Sequence, residues 1–214
     1  SFTDGAALPE AFTTAYDAMV SQARLASGET VLVHAVGSGV GTAATQIAKA
    51  IGARVIGTAR TASKLERARE LGMDEGIAVA NGKFSDAVLA KTSGLGANVV
   101  IELVGGDYVQ EDLACTASRG RIMLVGMMGG HATEINLAML LRKRITLTGT
   151  QLRARPLEEK IEAGRAFARH VMPLISSGKI RAIVDRVLPL EEASAAHELT
   201  AQNQTFGKVI LSVS

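Results

Sequence analysis

The sequence predicts an α/β fold, a doubly wound six-stranded parallel sheet with helices on both faces. Three observations predict it. Six short apolar runs alternate with longer amphipathic stretches at the period of the β-α-β unit. The first run leads straight into a glycine-rich segment, Gly37-Ser38-Gly39-Val40-Gly41. Aromatic residues make up only 3% of the 214 residues while glycine numbers 22, so aliphatics must pack the core and the chain must turn often on glycine.

Each element has its own signal. Thr30 to Ala35 is β-branched and apolar almost throughout, which predicts a strand buried on both faces. Ala44, Ile47, Ala48 and Ile51 fall on one helical face of the stretch from Thr42 to Ile51, and Gly52 stops it as a C-terminal cap. Arg54 to Thr58 is the second strand. Thr61 to Leu71 is a helix, with Thr61 or Ser63 as its N-cap and Gly72 as its stop. Strands at Gly76–Val79, Asn98–Leu103, Arg121–Val125 and Ile145–Thr148 alternate with helices at Phe84–Thr92, Tyr108–Ala117 and Asn136–Leu141. One long amphipathic helix, Leu8 to Leu25, precedes the first strand. Beyond Thr148 the pattern loosens. Pro156 to Ser177 is helical, with Pro173 predicting a break near Met172. Ile180–Val187 and Lys208–Val213 are strands separated by a helix, Glu191–Leu199. They have no place in the six-stranded sheet and are expected to pair elsewhere. The chain thus divides into 1–25, an entry helix and linker; 26–150, the six-stranded α/β domain; and 151–214, a looser C-terminal segment.

Composition narrows the function. Hydrophobic residues at 47% and charged residues at 21% are enough for a folded core. The charges nearly cancel, 23 basic against 21 acidic, so a nucleic-acid protein held by backbone electrostatics is not expected. A single cysteine, Cys115, excludes a disulfide framework and a multi-cysteine zinc site, and fits the reducing cytoplasm. No apolar run approaches the ~20 residues of a membrane span, and no secretory signal opens the chain.

The glycine segment follows a buried strand and opens a helix. That is where a pyrophosphate meets free backbone N–H groups at a helix N-terminus, and a Cβ would block the approach. Gly39 permits that approach, and Gly41 lets the helix pack close on the sheet. A methyltransferase carries a similar loop. It and NAD enzymes usually place an acid at the end of the second strand to bind ribose hydroxyls. Here that position reads Thr58-Ala59-Arg60-Thr61-Ala62-Ser63-Lys64, with two cations and no acid. Cations oppose the macrodipole at a helix N-terminus, so they suit an anion there: the 2′-phosphate of NADPH. No Tyr-x-x-x-Lys pair is present, which disfavours a short-chain dehydrogenase. His34, His131, His170 and His197 are scattered and read as surface or packing residues, and Cys115 reads as core.

The runs VLVHAVGSGVGTAATQIAKAIGARVIGTA, KLERARELG, GRIMLVGMMGG and AAHEL…FGKVIL together resemble the quinone oxidoreductase (zeta-crystallin-like) branch of the medium-chain dehydrogenases/reductases, close to the p53-inducible subgroup. The resemblance spans Leu8 to Val213. It implies a Rossmann domain binding NADPH, hydride transfer to quinones or related conjugated carbonyls, and an N-terminal GroES-like domain lying outside this chain. The two unplaced strands would belong with that domain. It implies cofactor contacts at Thr14, at Ser38, Gly39 and Val40, at Lys64 with Ser63 or Arg60 assisting, at Gly126, Met127 and Met128, at Thr150 and Leu152, and at Asn203. Val79 stands where the family usually has a tyrosine over the adenosine phosphate. Zinc-dependent relatives place a ligand near Glu10, but the branch resembled is zinc-free, and no metal ligand is assigned. Nor is a catalytic residue, since a reduced quinone can take its proton from water. The branch dimerises through the last strand of the sheet, here residues 144–148, so a homodimer is expected. An enoyl or enone reductase of a multidomain synthase, a zinc-free alcohol dehydrogenase-like protein and an NADPH-binding regulatory module are the alternatives.

Overall fold

The computed structural model describes residues 1–213. In chain order its elements are α1 (Phe2–Ala7), α2 (Pro9–Tyr16), β1 (Thr30–Val33), α3 (Gly39–Ile51), β2 (Arg54–Ala59), α4 (Ala62–Glu70), β3 (Glu75–Ala78), α5 (Ser85–Lys91), β4 (Ala97–Glu102), α6 (Tyr108–Cys115), β5 (Thr116–Leu124), α7 (Leu137–Lys143), β6 (Thr146–Gly149), α8 (Leu157–Ala166), α9 (Met172–Ser176), β7 (Val184–Pro189), α10 (Ala193–Ala201) and β8 (Lys208–Ser212). The main sheet has the order β3-β2-β1-β4-β5-β6, parallel throughout. This is the expected doubly wound Rossmann sheet. The chain reverses direction across the sheet between β1 and β4, and ligands of such folds bind at that switch point, beyond the carboxyl ends of the strands.

Alternation along the strands builds two cores, one on each face. Val31 and Val33 join Val55, Val99 and Ile101 against α2 and α3. Leu32 points the other way, joining Ile56, Val100 and Ile122 against Phe84, Val88 and Leu113. The buried runs read as strands because both of their faces are covered.

One expectation is corrected and two are made specific. The helix expected from Leu8 to Leu25 begins at Pro9, just after the separate α1, and is neither uniform nor as long as expected. After α2 it loosens into a π-helical turn, Asp17–Gln22, which buries Asp17, Ala18 and Met19. Pro173 does interrupt its helix, and the break takes the form of a second π-helical turn, Phe167–Val171. There Met172 N donates to Phe167 O, and Pro173 has no N–H to continue the ladder. The two unplaced strands pair in parallel with each other, Val187 opposite Ile210, with α10 between them. Local pattern could place them outside the main sheet but could not choose their partner. No helix among the described residues is long and apolar enough to cross a membrane.

Candidate functional site

The glycine loop sits at the switch point. Ala35 takes φ +44°, a left-handed conformation an L-residue adopts only under constraint, and Ser38 N closes the turn on Ala35 O at 2.8 Å. α3 then begins at Gly39, three residues earlier than the apolar periodicity suggested. Ser38 is its N-cap, with Oγ accepting from Gly41 N at 3.0 Å. No acid stands in the first turn of α3, so its free N–H groups and dipole face the cleft uncompensated. A Cβ at Gly41 would strike Ala35 O and the Val36 backbone, which is why the loop can press against the helix.

The C-terminal segment closes over this loop. Gly207 N donates to Gly37 O at 2.8 Å, and Ser38 and Gly207 form a parallel bridge. The Lys208 side chain crosses Gly39, where an added Cβ would meet its Cδ at 2.6 Å. Lys64 Nζ donates to Asn203 O at 2.6 Å and to Asn203 Oδ1 at 2.9 Å. Burial, then the neighbouring Arg60, holds the Lys64 ammonium below the usual lysine range. Arg60 and Ser63 remain exposed at the start of α4, with Ser63 Oγ 3.3 Å from Thr61 Oγ1. Thr61, not Ser63, is the N-cap residue of α4.

At the other end of the cleft, Thr14, Thr150 and Leu152 meet around a cavity of about 220 Å³ that Val125 and Arg153 also line. Gly126, Met127 and Met128 follow directly on the exit of β5, and the Met128 side chain is largely exposed. The expected cofactor residues therefore form two groups. Ser38, Gly39, Val40, Lys64 and Asn203 gather around the N-terminus of α3, and Thr14, Gly126–Met128, Thr150 and Leu152 lie at the other end. The N-terminus of α3, the cations and the bare glycine backbone fit a phosphorylated dinucleotide.

Several residues of the site were not foreseen. Asp17, on the first π-helical turn, accepts from Arg155 Nη2 and from Gln22 Nε2, each at 2.6 Å. Both donors also reach Thr150 Oγ1, at 2.6 and 2.7 Å. This partly buried knot fixes Thr150, and no sequence signal links Asp17 to an arginine so distant in the chain. Lys208 had a faint signal, a cation beside Gly207 at the start of a strand.

His34, the last residue before the loop turns, whose sequence context left surface and packing roles both open, is fully buried. Its Nδ1 lies 2.8 Å from Thr58 Oγ1 and its Nε2 lies 2.8 Å from Asp112 Oδ1. Glu102 Oε2 is 3.7 Å from the same nitrogen. Burial holds the imidazole below its ordinary pKa, against the pull of Glu102. Among the described residues these three form the one set of metal-type side chains in mutual reach. They do not fit a zinc centre. Nε2 is hydrogen-bonded directly to Asp112, the Phe84 and Tyr108 rings wall the imidazole at 4.6 and 5.1 Å, and no position opens to solvent. Glu10 is exposed on α2 and belongs to no such set.

A family model for zinc-binding dehydrogenases matches residues 39–168. The chain belongs to this family. Solved structures of similar fold place it among the medium-chain dehydrogenases/reductases. A mycobacterial protein solved in complex with NADPH superposes with a TM-score of 0.90 at 29% identity, over 100% of this chain and 66% of that one. The quinone oxidoreductase of Pseudomonas syringae pv. tomato DC3000 gives 0.85 at 29% identity, over 100% and 65%. The CurK enoyl reductase gives 0.83 at 28% identity, over 100% and 63%. Highly reducing polyketide synthase 40 of Fusarium pseudograminearum is 30% identical over 216 residues, covering 100% of this chain and 8% of the synthase. The chain thus spans about two thirds of these solved relatives and under a tenth of that synthase. In this family the six-stranded sheet is the NADP-binding domain.

Proposed function

We propose that the chain binds NADPH along the carboxyl edge of the sheet and presents the nicotinamide to a conjugated carbonyl, as in quinone reduction. The observation that carries this reading is the Lys64–Asn203 pair beside the Ser38-capped helix, with Arg60 next to it and no carboxylate at the end of β2. NADPH, when bound, supplies the hydride. The N-terminus of α3 and Lys208 take the pyrophosphate. Lys64 and Arg60 take the 2′-phosphate, and Ser63 assists. The backbone of Gly126, Met127 and Met128 and the cleft of Thr14, Thr150 and Leu152 receive the nicotinamide end. No side chain of this chain is assigned as the proton donor. The mycobacterial relative solved with NADPH supports the cofactor, and the Pseudomonas quinone oxidoreductase supports the substrate class.

The polyketide synthase relatives and the CurK enoyl reductase favour a second reading, reduction of an enoyl thioester by the same site. Titration with NADPH and NADH tests the cofactor. Hydride transfer from NADPH to a para-quinone, compared with a 2-enoyl thioester, separates the two substrates. Binding of neither dinucleotide would overturn both readings.

Two further expectations belong to this proposal. The chain forms a homodimer through the open edge of β6, and it works in the reducing cytoplasm, where the buried thiol of Cys115 stays free.

A further inference from the structure

Glu102, the last residue of β4, holds two turns at once. Its Oε1 accepts from the main-chain N–H groups of Val104 and Gly105, the latter at 2.8 Å. Its main-chain oxygen accepts from Val125 N at 2.8 Å and from Gly126 N at 3.2 Å. The exits of β4 and β5 are then laced together. Gly129 N donates to Val104 O at 2.6 Å, and Gly105 and Gly130 form a parallel bridge. A Cβ at Gly126 would meet Leu103 O at 2.6 Å, so the two turns leave no slack. The second turn carries Gly126, Met127 and Met128.

The other Glu102 oxygen is the anomaly. Glu102 Oε2 and Asp112 Oδ2 are both buried without a partner. His34 cannot serve them, because Nε2 is committed to Asp112 Oδ1 and Nδ1 to Thr58. The other titratable groups packed around them offer no cation. On α6, Glu111 accepts from Phe84 N and Ser85 N, and the Cys115 thiol faces Asp112 O. The Tyr108 ring packs on His34, and Arg60 reaches the cluster only through its field at Tyr108. The Lys143 ammonium is spent on the carbonyls of Leu113, Ala114 and Thr116. Two ionised carboxylates side by side in a dry interior with no cation repel each other, and one of them keeps its proton. Glu102 and Asp112 bring carboxylate oxygens within 4.8 Å of each other, and a proton on Glu102, donated across to Asp112, gives the orphaned oxygens a partner and leaves Oε1 free for the turn.

We propose that Glu102 is a positioning residue for the dinucleotide, holding the β4 and β5 turns in register only while it shares one proton with Asp112. The binding part of this rests on the NADPH reading above. Loss of the proton puts a second negative charge beside the first and loosens the turn that Glu102 grips. Burial pushes the Glu102 carboxyl up to about 8 and raises Asp112 as well, which brings the loss within reach of mildly alkaline solution.

Two isosteric variants imitate the protonated pair. Asp112→Asn accepts from His34 and donates to Glu102. Glu102→Gln accepts from the turn and donates to Asp112. NADPH affinity and melting temperature of the 214-residue chain are measured from about pH 6 to about pH 9. The unmodified protein should lose about tenfold in affinity, ~1.4 kcal/mol, and its melting temperature should fall across that range. Both variants should lose the alkaline fall, whereas Glu102→Ala should bind weakly at every pH. An infrared difference spectrum at neutral pH should show the carbonyl stretch of a protonated carboxylic acid, absent from Glu102→Gln. A flat profile in the unmodified protein, an alkaline fall kept by both variants, or no protonated carboxyl band would overturn the proposal. The melting and infrared measurements need no cofactor. Failure to bind NADPH at any pH would overturn the functional reading and the positioning role, and these two would still decide the shared proton.

Discussion

Lys64 Nζ donates to both the carbonyl oxygen and the Oδ1 of Asn203, joining the start of α4 to a residue 139 positions further along the chain. Asn203 adopts φ +57°, a conformation asparagine tolerates better than most residues, which turns its carbonyl back toward the lysine. The ammonium is therefore held in place at the mouth of the site, beside Arg60.

Cofactor choice follows from this pair. Charge-assisted hydrogen bonds are worth about 1.5–3 kcal/mol each, less where water reaches them. The unmodified protein should prefer NADPH over NADH by about tenfold or more, where ~1.4 kcal/mol is tenfold. Lys64→Ala and Arg60→Asp should each shrink that ratio toward unity in fluorescence titrations with both cofactors. An unchanged ratio in both variants would show these cations to be ordinary solvated charges.

Gly41 is a packing prediction. An added Cβ meets main-chain atoms of Ala35 and Val36, which cannot swing away as a side-chain tip would. Gly41→Ala should cost about 1–3 kcal/mol, the usual range for overpacking, read from urea denaturation. Gly39→Ala meets the flexible Lys208 side chain and touches Ala11 Cβ only at ordinary contact distance. It should leave stability nearly intact and weaken dinucleotide binding instead.

Acid stability should depend on Glu111. Burial alone would raise its carboxyl, but N–H groups of Ser85 and Phe84 and the Lys83 ammonium outweigh that and hold it at about 2. A depressed folded-state pKa contributes stability that is complete above the unfolded value of about 4.3 and disappears as pH falls through about 2. At ~1.36 kcal/mol per pH unit, and discounted for the water that screens the Lys83 side of the contact, the contribution is roughly 1–2 kcal/mol. Glu111→Gln should be less stable at neutral pH by about that amount, with a shallower loss below about pH 4. Parallel acid-denaturation curves for the two proteins would count against it.

Assembly is tested at the edge of the sheet. β6 is paired only with β5, and Leu137 and Leu141 on the adjoining α7 are 69% and 77% exposed. An open edge beside exposed leucines suits an isologous two-fold contact. Light scattering should give the mass of a dimer. Leu147→Pro, which removes an edge donor, and Leu141→Glu should give monomers. A monomeric unmodified protein would reject the β6 dimer.

Breaking the partly buried knot at Thr150 should also be costly. Arg155 and Asp17 are 16% and 10% exposed at the side chain, and Arg155→Ala leaves the Asp17 carboxylate with Gln22 alone. Removing one partner of a buried pair costs about 3–5 kcal/mol. The retained exposure and Gln22 should keep the loss near the lower figure in thermal denaturation. NADPH binding should weaken along with stability, because Thr150 loses one of its two anchors.

The sequence by itself determined the strands of the main sheet, the glycine loop, the stop at Gly52 and the absence of an acid after β2. Those features are local. A β-branched run buried on both faces and a glycine stop, here at φ +91°, each declare themselves within a few residues. Tertiary structure decided what depends on the chain meeting itself. Nothing in Val184–Pro189 names Lys208–Ser212 as its partner, because both are short strands without a pairing signal and either could have joined another sheet. Nothing local pairs Asp17 with Arg155, and only the π-helical turn and the loop after β6 bring them together. His34 reads as one polar residue on an apolar strand. Only the parallel register of β1 with β4, and the packing of α6 against β4, bring Glu102 and Asp112 to it in the dry interior. Burial is set by the path of the whole chain, and burial is what turns those ordinary carboxylates into a pair that must share a proton.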